Sequence, residues 1–582
     1  MMNRNCRAKK DIKPKNNHLR CLIIALFWWF CSPSLQRPLI MAQPSPTEWY
    51  QQTVIYQIYP RSFKDSNADG IGDLNGIIEK LDYLKDLGVE TLWMSPFYDS
   101  PQQDFGYDIS DYYSISPDYG TMADVERLIA EVHKRGMYIV FDMVMNHTSD
   151  QHKWFIESKG SRTNTKADWY IWKDGNGKQP PNNWHSMLAE KGWHYVESRN
   201  QWYYASFLPF QPDLNYRNEE VKKAMFDIIR FWLNKGVDGF RLDIFNAIMK
   251  DAEFKNNPFS PRLLPSTANP DGLFQAHRYN LNHPDGFHLA EELRQVMDEF
   301  DHPKRFTLGE VFGAHATIKQ YLGNGTNALH LVFQFDLLSF HFNAPFFAEQ
   351  ILTYETEYPM PYLPTLVFGN HDQKRSIGRL NNNPEKAKLL ALFQLTARGV
   401  PTLYMGEEIG MTNGDIPLKK AKDPVAKRLS WLPQWLVNRI PTALNRDVCR
   451  TPMQWNGGQY AGFSDAQPWL PVNADRGLVN VETQLSQTGS LLDTYRKLLQ
   501  LRKSTPALHR GSISLINDLP TQILAYQRRL EGEMPVSVYF NFSEKHIRIP
   551  CPFHELQLHT QPGTILLDGW LTLPAWGGGV VK

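Results

Sequence analysis

Gly239-Phe-Arg-Leu-Asp-Ile-Phe-Asn246 begins as a short apolar strand, after the helix-to-strand turn Lys235-Gly236-Val237-Asp238. Side chains alternate along a strand, so Arg241 and Asp243 share one face. An arginine two residues before an aspartate keeps that carboxylate ionised and fixes its direction. An ionised, oriented carboxylate at a strand end is what attack on a sugar carbon requires. By itself an Arg-x-Asp is most often a structural ion pair at a sheet edge, because short motifs match by chance. The segments around it decide otherwise.

Outward from this strand the chain alternates. Strand patterns fall at 54–59, 91–95, 138–144, 239–244, 305–311, 330–335, 365–369 and 402–405, with helical stretches at 74–87, 122–135, 219–234, 288–300 and 384–397. Eight strands alternating with helices predict an α/β fold, a (β/α)₈ TIM barrel. The run from 146 to 216, rich in Trp, Asn, Lys and Gly, is too long for a bare loop and reads as an inserted domain B. After about Thr505 the pattern changes to short strands and turns, at 512–516, 522–528, 535–540, 546–549 and 563–567. That predicts a separate C-terminal antiparallel β-sandwich domain. The expected organisation is a leader over 1–42, the catalytic barrel over 43–145 and 217–504, the insertion over 146–216 and the β-domain over 505–582.

The chain has 582 residues, 62 Lys and Arg against 61 Asp and Glu, and 13% aromatic residues. Near-neutral charge leaves no nucleic-acid footprint. Abundant Trp and Tyr suit sugar binding and an ordinary core equally well. Of five cysteines only Cys449 and Cys551 lie outside the leader, which predicts two buried free thiols rather than a disulfide framework. The leader carries Arg4, Arg7, Lys9, Lys10, Lys13, Lys15 and Arg20 before an apolar run from Cys21 to Cys31. This is the layout of a secretory signal, and the run is short for a membrane span, which needs about 20 apolar residues. The protein is exported if the leader is a signal, and cytoplasmic if translation starts at Met41. No membrane contact is expected for the catalytic body.

In a (β/α)₈ barrel the chemistry sits at the C-terminal ends of the strands. Four predicted strand ends carry acids: Asp142-Met-Val-Met-Asn146-His147, Arg241-Leu-Asp243, Leu308-Gly-Glu310-Val311 and Gly369-Asn-His371-Asp372-Gln373. These segments resemble the four signature regions of the α-amylase superfamily of retaining glycoside hydrolases, glycoside hydrolase family 13. Gln211-Pro-Asp-Leu-Asn215, Tyr107-Asp-Ile-Ser-Asp-Tyr112, Tyr404-Met-Gly-Glu-Glu-Ile-Gly410 and Arg450-Thr-Pro-Met-Gln-Trp455 are similar to segments of its oligo-1,6-glucosidase and α-glucosidase branch. The resemblance runs from about Trp49 to the C-terminus, and is specific in the barrel and weak after Thr505.

The resemblance implies roles residue by residue. Asp243 matches the nucleophile, Glu310 the acid and base, and Asp372 the carboxylate that holds hydroxyls near the reacting carbon. His147 and His371 match the hydroxyl-contacting histidines, and Arg241 the nucleophile's partner. Asp104 and Arg450 match the pair that grips the non-reducing end, and Tyr107 the ring that stacks on that sugar. Phe105 departs from the branch, which usually has Asn there. Ile244, after the nucleophile, stands where valine goes with α-1,6 cleavage and alanine or threonine with α-1,4, so isomaltose should be cleaved at least as well as maltose. The implied substrate is a small oligosaccharide, cleaved without an organic cofactor. The same machinery serves transglycosylating relatives of the sucrose isomerase or trehalose synthase type. An amylase-like domain also occurs in transporter-associated glycoproteins, against which the complete set of acids argues.

Asp65-Ser-Asn67-Ala-Asp69-Gly-Ile71-Gly-Asp73 places oxygen side chains at alternate positions with a glycine for the turn, as EF-hand loops do. It resembles the metal loop of some oligo-1,6-glucosidases and dextran glucosidases. Structural Ca²⁺ is expected on Asp65, Asn67, Asp69, the Ile71 carbonyl and Asp73. A plain solvated Asp/Asn turn is the alternative.

Overall fold

In the computed structural model, residues 48–188, 191–433, 435 and 444–582 are described. The expected leader lies outside them. All eight expected strands form: β1 (Ile55–Ile58), β2 (Thr91–Met94), β3 (Tyr138–Val144), β4 (Gly239–Asp243), β5 (Phe306–Gly309), β6 (Leu331–Val332), β7 (Thr365–Val367) and β8 (Val400–Tyr404). They make one parallel sheet in the order β6-β5-β4-β3-β2-β1-β8-β7, with β8 paired to β1. Backbone pairing is missing only between β6 and β7. There the Thr365 amide donates to Gln334 Oε1 (2.5 Å) and the Gln334 amide to Thr365 Oγ1 (3.0 Å), so side chains bridge the seam of the barrel.

Strand periodicity sorts the side chains into two layers. Ile55, Trp93, Val140, Phe306, Leu308, Leu331, Val367 and Val400 pack together inside the barrel. Their neighbours Tyr56, Leu92, Ile139, Phe240 and Leu403 pack outward with helix residues such as Leu81, Leu128, Ile229 and Leu293. Each fully buried Leu or Ile stabilises the fold by roughly 1.5–3 kcal/mol. The same two-residue step carries the inner face onward to Gln57, Asp142, Arg241, Asp243 and Glu310. Asp142 and Arg241 are register partners on β3 and β4.

The helices start where the sequence supplies caps. Thr121 and Asp124 form a capping box before Met122–Lys134. Asn218 accepts the Glu220 amide before Glu219–Asn234, and Gly236, at φ 101°, follows its last turn. The expected helix 74–87 is two helices, Leu74–Glu79 and Leu81–Leu87, meeting at Lys80.

Between β3 and β4 the insertion holds a small antiparallel sheet of Trp172–Lys173, Trp193–Val196 and Gln201–Tyr204. The C-terminal segment forms a five-stranded and a three-stranded antiparallel sheet. It does not stand apart, because Glu48–Lys582 is one compact unit. Arg528 donates to the Thr396 carbonyl at the end of helix Pro384–Thr396, and Arg502 of the barrel donates to the Leu508 carbonyl of this segment (3.1 Å). Three strands here escape the sequence pattern: Leu556–His559, Trp570–Leu573 and Gly578–Val581. Glycine weakens the strand signal in the last of them. Gly578 is required there because a Cβ would lie 2.5 Å from Leu392 and 2.8 Å from Leu389 on the barrel helix. Cys449 and Cys551 are buried free thiols, as expected. No helix among the described residues is long and apolar enough to cross a membrane.

Candidate active site

The inner faces of β3, β4 and β5 meet at one guanidinium. Arg241 Nη1 donates to Asp142 Oδ1 (2.9 Å) and Asp243 Oδ1 (2.7 Å), and Nη2 donates to Glu310 Oε2. One planar group therefore holds both Asp243 and Glu310. It binds one oxygen of each and fixes their relative orientation. Arg241 is buried, which disfavours its charge, but Asp142, Glu310 and Asp243 more than offset this and raise its pKa. Among the described residues Asp243 Oδ2 and Glu310 Oε1 accept no hydrogen bond from protein, which leaves one oxygen of each for a substrate.

A polar chain supports this centre. The Gln57 amide donates to His371 Nδ1 (2.8 Å), so the proton sits on Nε2, which faces Tyr107 Oη (2.6 Å) and Asp372 Oδ2 (3.2 Å). Tyr107 in turn donates to Asp142 Oδ2 (3.1 Å). Burial pushes the His371 pKa down to about 3, so the ring is neutral at pH 7. Burial alone would raise the Asp372 pKa, yet its carboxyl is held well below the usual range. His371, which is protonated in the acid range where Asp372 titrates, and the adjacent arginines are the cause: Nε2 of His371 lies 3.2 Å from Asp372 Oδ2, and Arg450 Nη2 lies 2.7 Å and Arg446 Nη1 3.4 Å from Asp372 Oδ1. Burial, reinforced by Asp243, Asp372 and Asp142 against Arg241, pushes Glu310 up to about 8. Burial likewise pushes Asp142 up to about 7.

A cavity of about 470 Å³ opens above these groups. Asp104, Tyr107, His147, Asp243, Glu310 and Asp372 all line it, while Arg241, His371 and Arg450 stand directly behind. His147 Nε2 lies 3.1 Å from the Tyr107 carbonyl and stays neutral, its pKa lowered by burial. Ile244 also lines the wall. Its backbone is left-handed, φ 39° and ψ 48°, which is strained for a β-branched residue, and its amide reaches Glu310 Oε2 (3.3 Å). This turn ends β4 one residue earlier than the pattern suggested. Phe105 is outside the wall, packed 5.0 Å from Trp469 and 5.5 Å from the Arg61 guanidinium.

One pairing needs correction. Arg450 does not reach Asp104; it is fully buried behind Asp372, with Nε on the His371 carbonyl (2.8 Å). Arg446 holds Asp104 instead, Nη2 to Oδ1 at 2.6 Å, backed by Asp423 at 2.8 Å and joined by Gln211 on Asp104 Oδ2 (3.2 Å). The 3₁₀ turn Arg446–Cys449, capped by Asn445, places Arg446 toward the cavity and Arg450 beneath it. Their four-residue spacing was a usable signal, but it does not say which arginine faces inward. Asp142, Gln57, Gln211 and Asp423 were also missed as site residues, although Asp142 and Gln57 sit on the inner strand faces.

In the aspartate-rich loop, Asp65 accepts the amides of Asn67, Ala68 and Gly70 and the Ser464 hydroxyl. Asn67 accepts from Asp69 N, and Asp69 from Ile71 N. Asp73 caps Leu74–Glu79 through the Gly76 amide and also accepts from Ser66. Among the described residues no three His, Cys, Asp or Glu side chains gather closely enough to hold a metal ion by themselves.

A family model described as alpha amylase, catalytic domain, matches residues 57–511. The chain belongs to the α-amylase family. Within that family it is 37% identical over 546 residues to a probable alpha-glucosidase of Rhizobium meliloti (strain 1021), covering 91% of this chain and 96% of that one. It is 38% identical over 536 residues to an oligo-1,6-glucosidase of Parageobacillus thermoglucosidasius, covering 87% and 92%. Among solved α-amylase-family structures, the isomaltulose synthase of Klebsiella sp. LX3 superposes with a TM-score of 0.83 at 34% identity, covering 92% and 100%.

Proposed function

We propose that this protein is a retaining, exo-acting α-glucosidase, hydrolysing α-1,6 and α-1,4 bonds of short oligosaccharides to release glucose. The observation that carries the reading is the Arg241 fork holding Asp243 and Glu310 together at the floor of the cavity. Asp243, through its free oxygen, attacks the anomeric carbon while Glu310 delivers its proton to the leaving oxygen. Glu310 then takes a proton from water, which displaces the Asp243 ester. A pKa near 8 keeps Glu310 protonated for the first step at neutral pH. With Glu310 protonated, Asp104, Asp142, Asp243, Asp372 and Asp423 pair with Arg241, Arg446 and Arg450 among the described residues, so acids outnumber arginines and the site favours the positive charge of an oxocarbenium-like transition state. The Asp104–Arg446 pair lines the cavity and would grip the hydroxyls of a terminal glucosyl unit, which supports exo action. The test is incubation of residues 41–582 with maltose and isomaltose while following the anomer released. Glucose appearing first as the α-anomer is expected; no glucose, or β-glucose first, refutes the reading.

We further propose that Ca²⁺ binds the loop through Asp65, Asn67, Asp69, the Ile71 carbonyl and Asp73. The alternating oxygen ladder supports this, since Asn67 and Asp69 each keep a lone pair beyond their single ladder bond. Asp65 accepts four hydrogen bonds and would exchange the rotatable Ser464 hydroxyl for the ion. Bound ion stabilises the native state by mass action. A chelator should lower the melting temperature, and Asp69→Ala should remove that sensitivity. Unchanged melting of calcium-loaded protein on chelation would end the proposal.

A further inference from the structure

Asp104 and Tyr107 reach the cavity from the tight turn 102–107, and the backbone of that turn is strained. Gln102, Phe105 and Gly106 are all left-handed, at φ 60°, 49° and 106°. Glycine suits position 106, because a Cβ there would lie 2.6 Å from the Pro96 carbonyl oxygen. Phenylalanine does not suit position 105. A bulky side chain in this region is an outlier that persists only where its surroundings hold it.

Two sets of contacts hold the turn. The buried Asp108 carboxylate accepts the Gln103 and Asp104 amides (3.0 and 2.9 Å) and the Ser100 hydroxyl (3.1 Å). The buried Phe105 ring completes a triangle with Arg61 and Trp469. It lies 5.0 Å from the Trp469 ring, and the Arg61 guanidinium lies 5.5 Å from Phe105 and 5.0 Å from Trp469. Both partners are anchored elsewhere. Arg61 pairs with Asp118 at 2.8 Å. Trp469 donates its indole N–H to Ser62 Oγ (2.9 Å) and its amide to the Gly70 carbonyl (2.9 Å). Phe105 itself is outside the cavity wall, but the residue before it meets Arg446 and Gln211, and the Tyr107 amide donates to the Asp104 carbonyl at 3.2 Å. Rotation of the Phe105 backbone out of the left-handed region would therefore swing Asp104 and Tyr107 relative to each other.

We propose that Phe105, clamped by Arg61 and Trp469, is a positioning residue that sets Asp104 and Tyr107 against the terminal glucosyl unit. This rests on the glucosidase reading, which makes those two residues the grip on that sugar. Packing of the ring holds the backbone in a conformation that the side chain by itself disfavours. Asparagine adopts this conformation more readily, because its short polar side chain can hydrogen-bond locally, so it would hold the turn without a ring. Alanine has neither the ring nor that preference.

The test measures kcat/KM for a nitrophenyl α-glucoside, with circular dichroism melts to establish folding. Phe105→Ala should lower it by about 10²-fold, the scale of a misplacement of about 1 Å. Phe105→Asn should retain clearly more than Phe105→Ala, although it removes the same ring. In an Asp104→Asn background the loss from Phe105→Ala should shrink, because residues that act through one another are not additive. Trp469→Leu should behave like Phe105→Ala, and adding Phe105→Asn to it should restore activity. A purely structural ring would give full additivity with Asp104→Asn and no rescue. Wild-type rate in Phe105→Ala, no advantage of Asn over Ala, or an undiminished loss in the Asp104→Asn background each overturns the proposal and leaves the glucosidase reading standing. If Phe105→Ala does not fold, Trp469→Leu with and without Phe105→Asn decides it: rescue supports the clamp, and its absence overturns it. Wild-type protein that cleaves no α-glucoside removes both readings.

Discussion

Arg446, rather than Arg450, should be the residue coupled to Asp104, and a double-mutant cycle measures this directly. In Arg446→Met the buried Asp104 loses its 2.6 Å partner and keeps only Gln211 at 3.2 Å, while Asp423 loses its side-chain partner and retains the backbone amides of Val425 and residue 446. Breaking one side of a buried pair costs about 3–5 kcal/mol. If most of that appears in the transition state, kcat/KM falls by roughly 10²- to 10³·⁵-fold. Asp104→Asn leaves Arg446 paired with Asp423, so its loss should be smaller. Because Asp104 and Arg446 touch, the double variant should be less impaired than the sum of the singles, with an interaction energy in the range of about 0.5–3 kcal/mol. Asp104 and Arg450 do not touch, and share only the neighbourhood of Asp372, so their cycle should give the smaller value. The assay is kcat/KM for a nitrophenyl α-glucoside, with circular dichroism to establish that each variant is folded. A larger coupling for Asp104 with Arg450 than with Arg446 would falsify the assignment.

Asp243→Asn should lower turnover by roughly 10⁴-fold or more with the fold retained; a variant holding a tenth of the wild-type rate refutes its role as nucleophile. Because Glu310 is raised to about 8 and acts in its protonated form, kcat/KM should fall tenfold per pH unit above that value. In Glu310→Gln that alkaline limb should vanish from the residual rate, and a limb that persists belongs to another group. The same shift has a stability consequence. Between its ordinary 4.5 and about 8, Glu310 binds more proton folded than unfolded, so its contribution to stability declines as pH rises through that window, as titration of melting temperature should reveal. Ile244 lines the cavity beside Asp243, so Ile244→Thr should shift the ratio of specificity constants from isomaltose toward maltose, by an amount within the roughly 1–3 kcal/mol that one small group confers. An unmoved ratio, or wild-type protein that already strongly prefers maltose, rules Ile244 out as the determinant.

What the sequence determined by itself is local. The two-residue alternation of a strand needs only a few residues to be read, and that alone puts Arg241 and Asp243 on one face. Turns are equally local, which is why Gly236 marks a helix end correctly. The resemblance then supplied roles for Arg241 and Asp243 and for the acids at the other strand ends. The tertiary structure decided what depends on contacts distant in sequence. Asp104 and Arg446 are 342 residues apart, and nothing in either segment says which of two arginines one turn apart will face the cavity. The barrel seam is bridged by Gln334 and Thr365, two side chains that read as ordinary strand residues until β6 and β7 lie side by side. Gly578 looks like a break in a strand until helix Pro384–Thr396 is seen to fill the space a side chain would need. The cavity wall gathers Met187, Phe207, Phe312 and Val425 from elements that share no local pattern. Only closure of the barrel brings such residues together, because burial and pairing across the fold are properties of the packed chain.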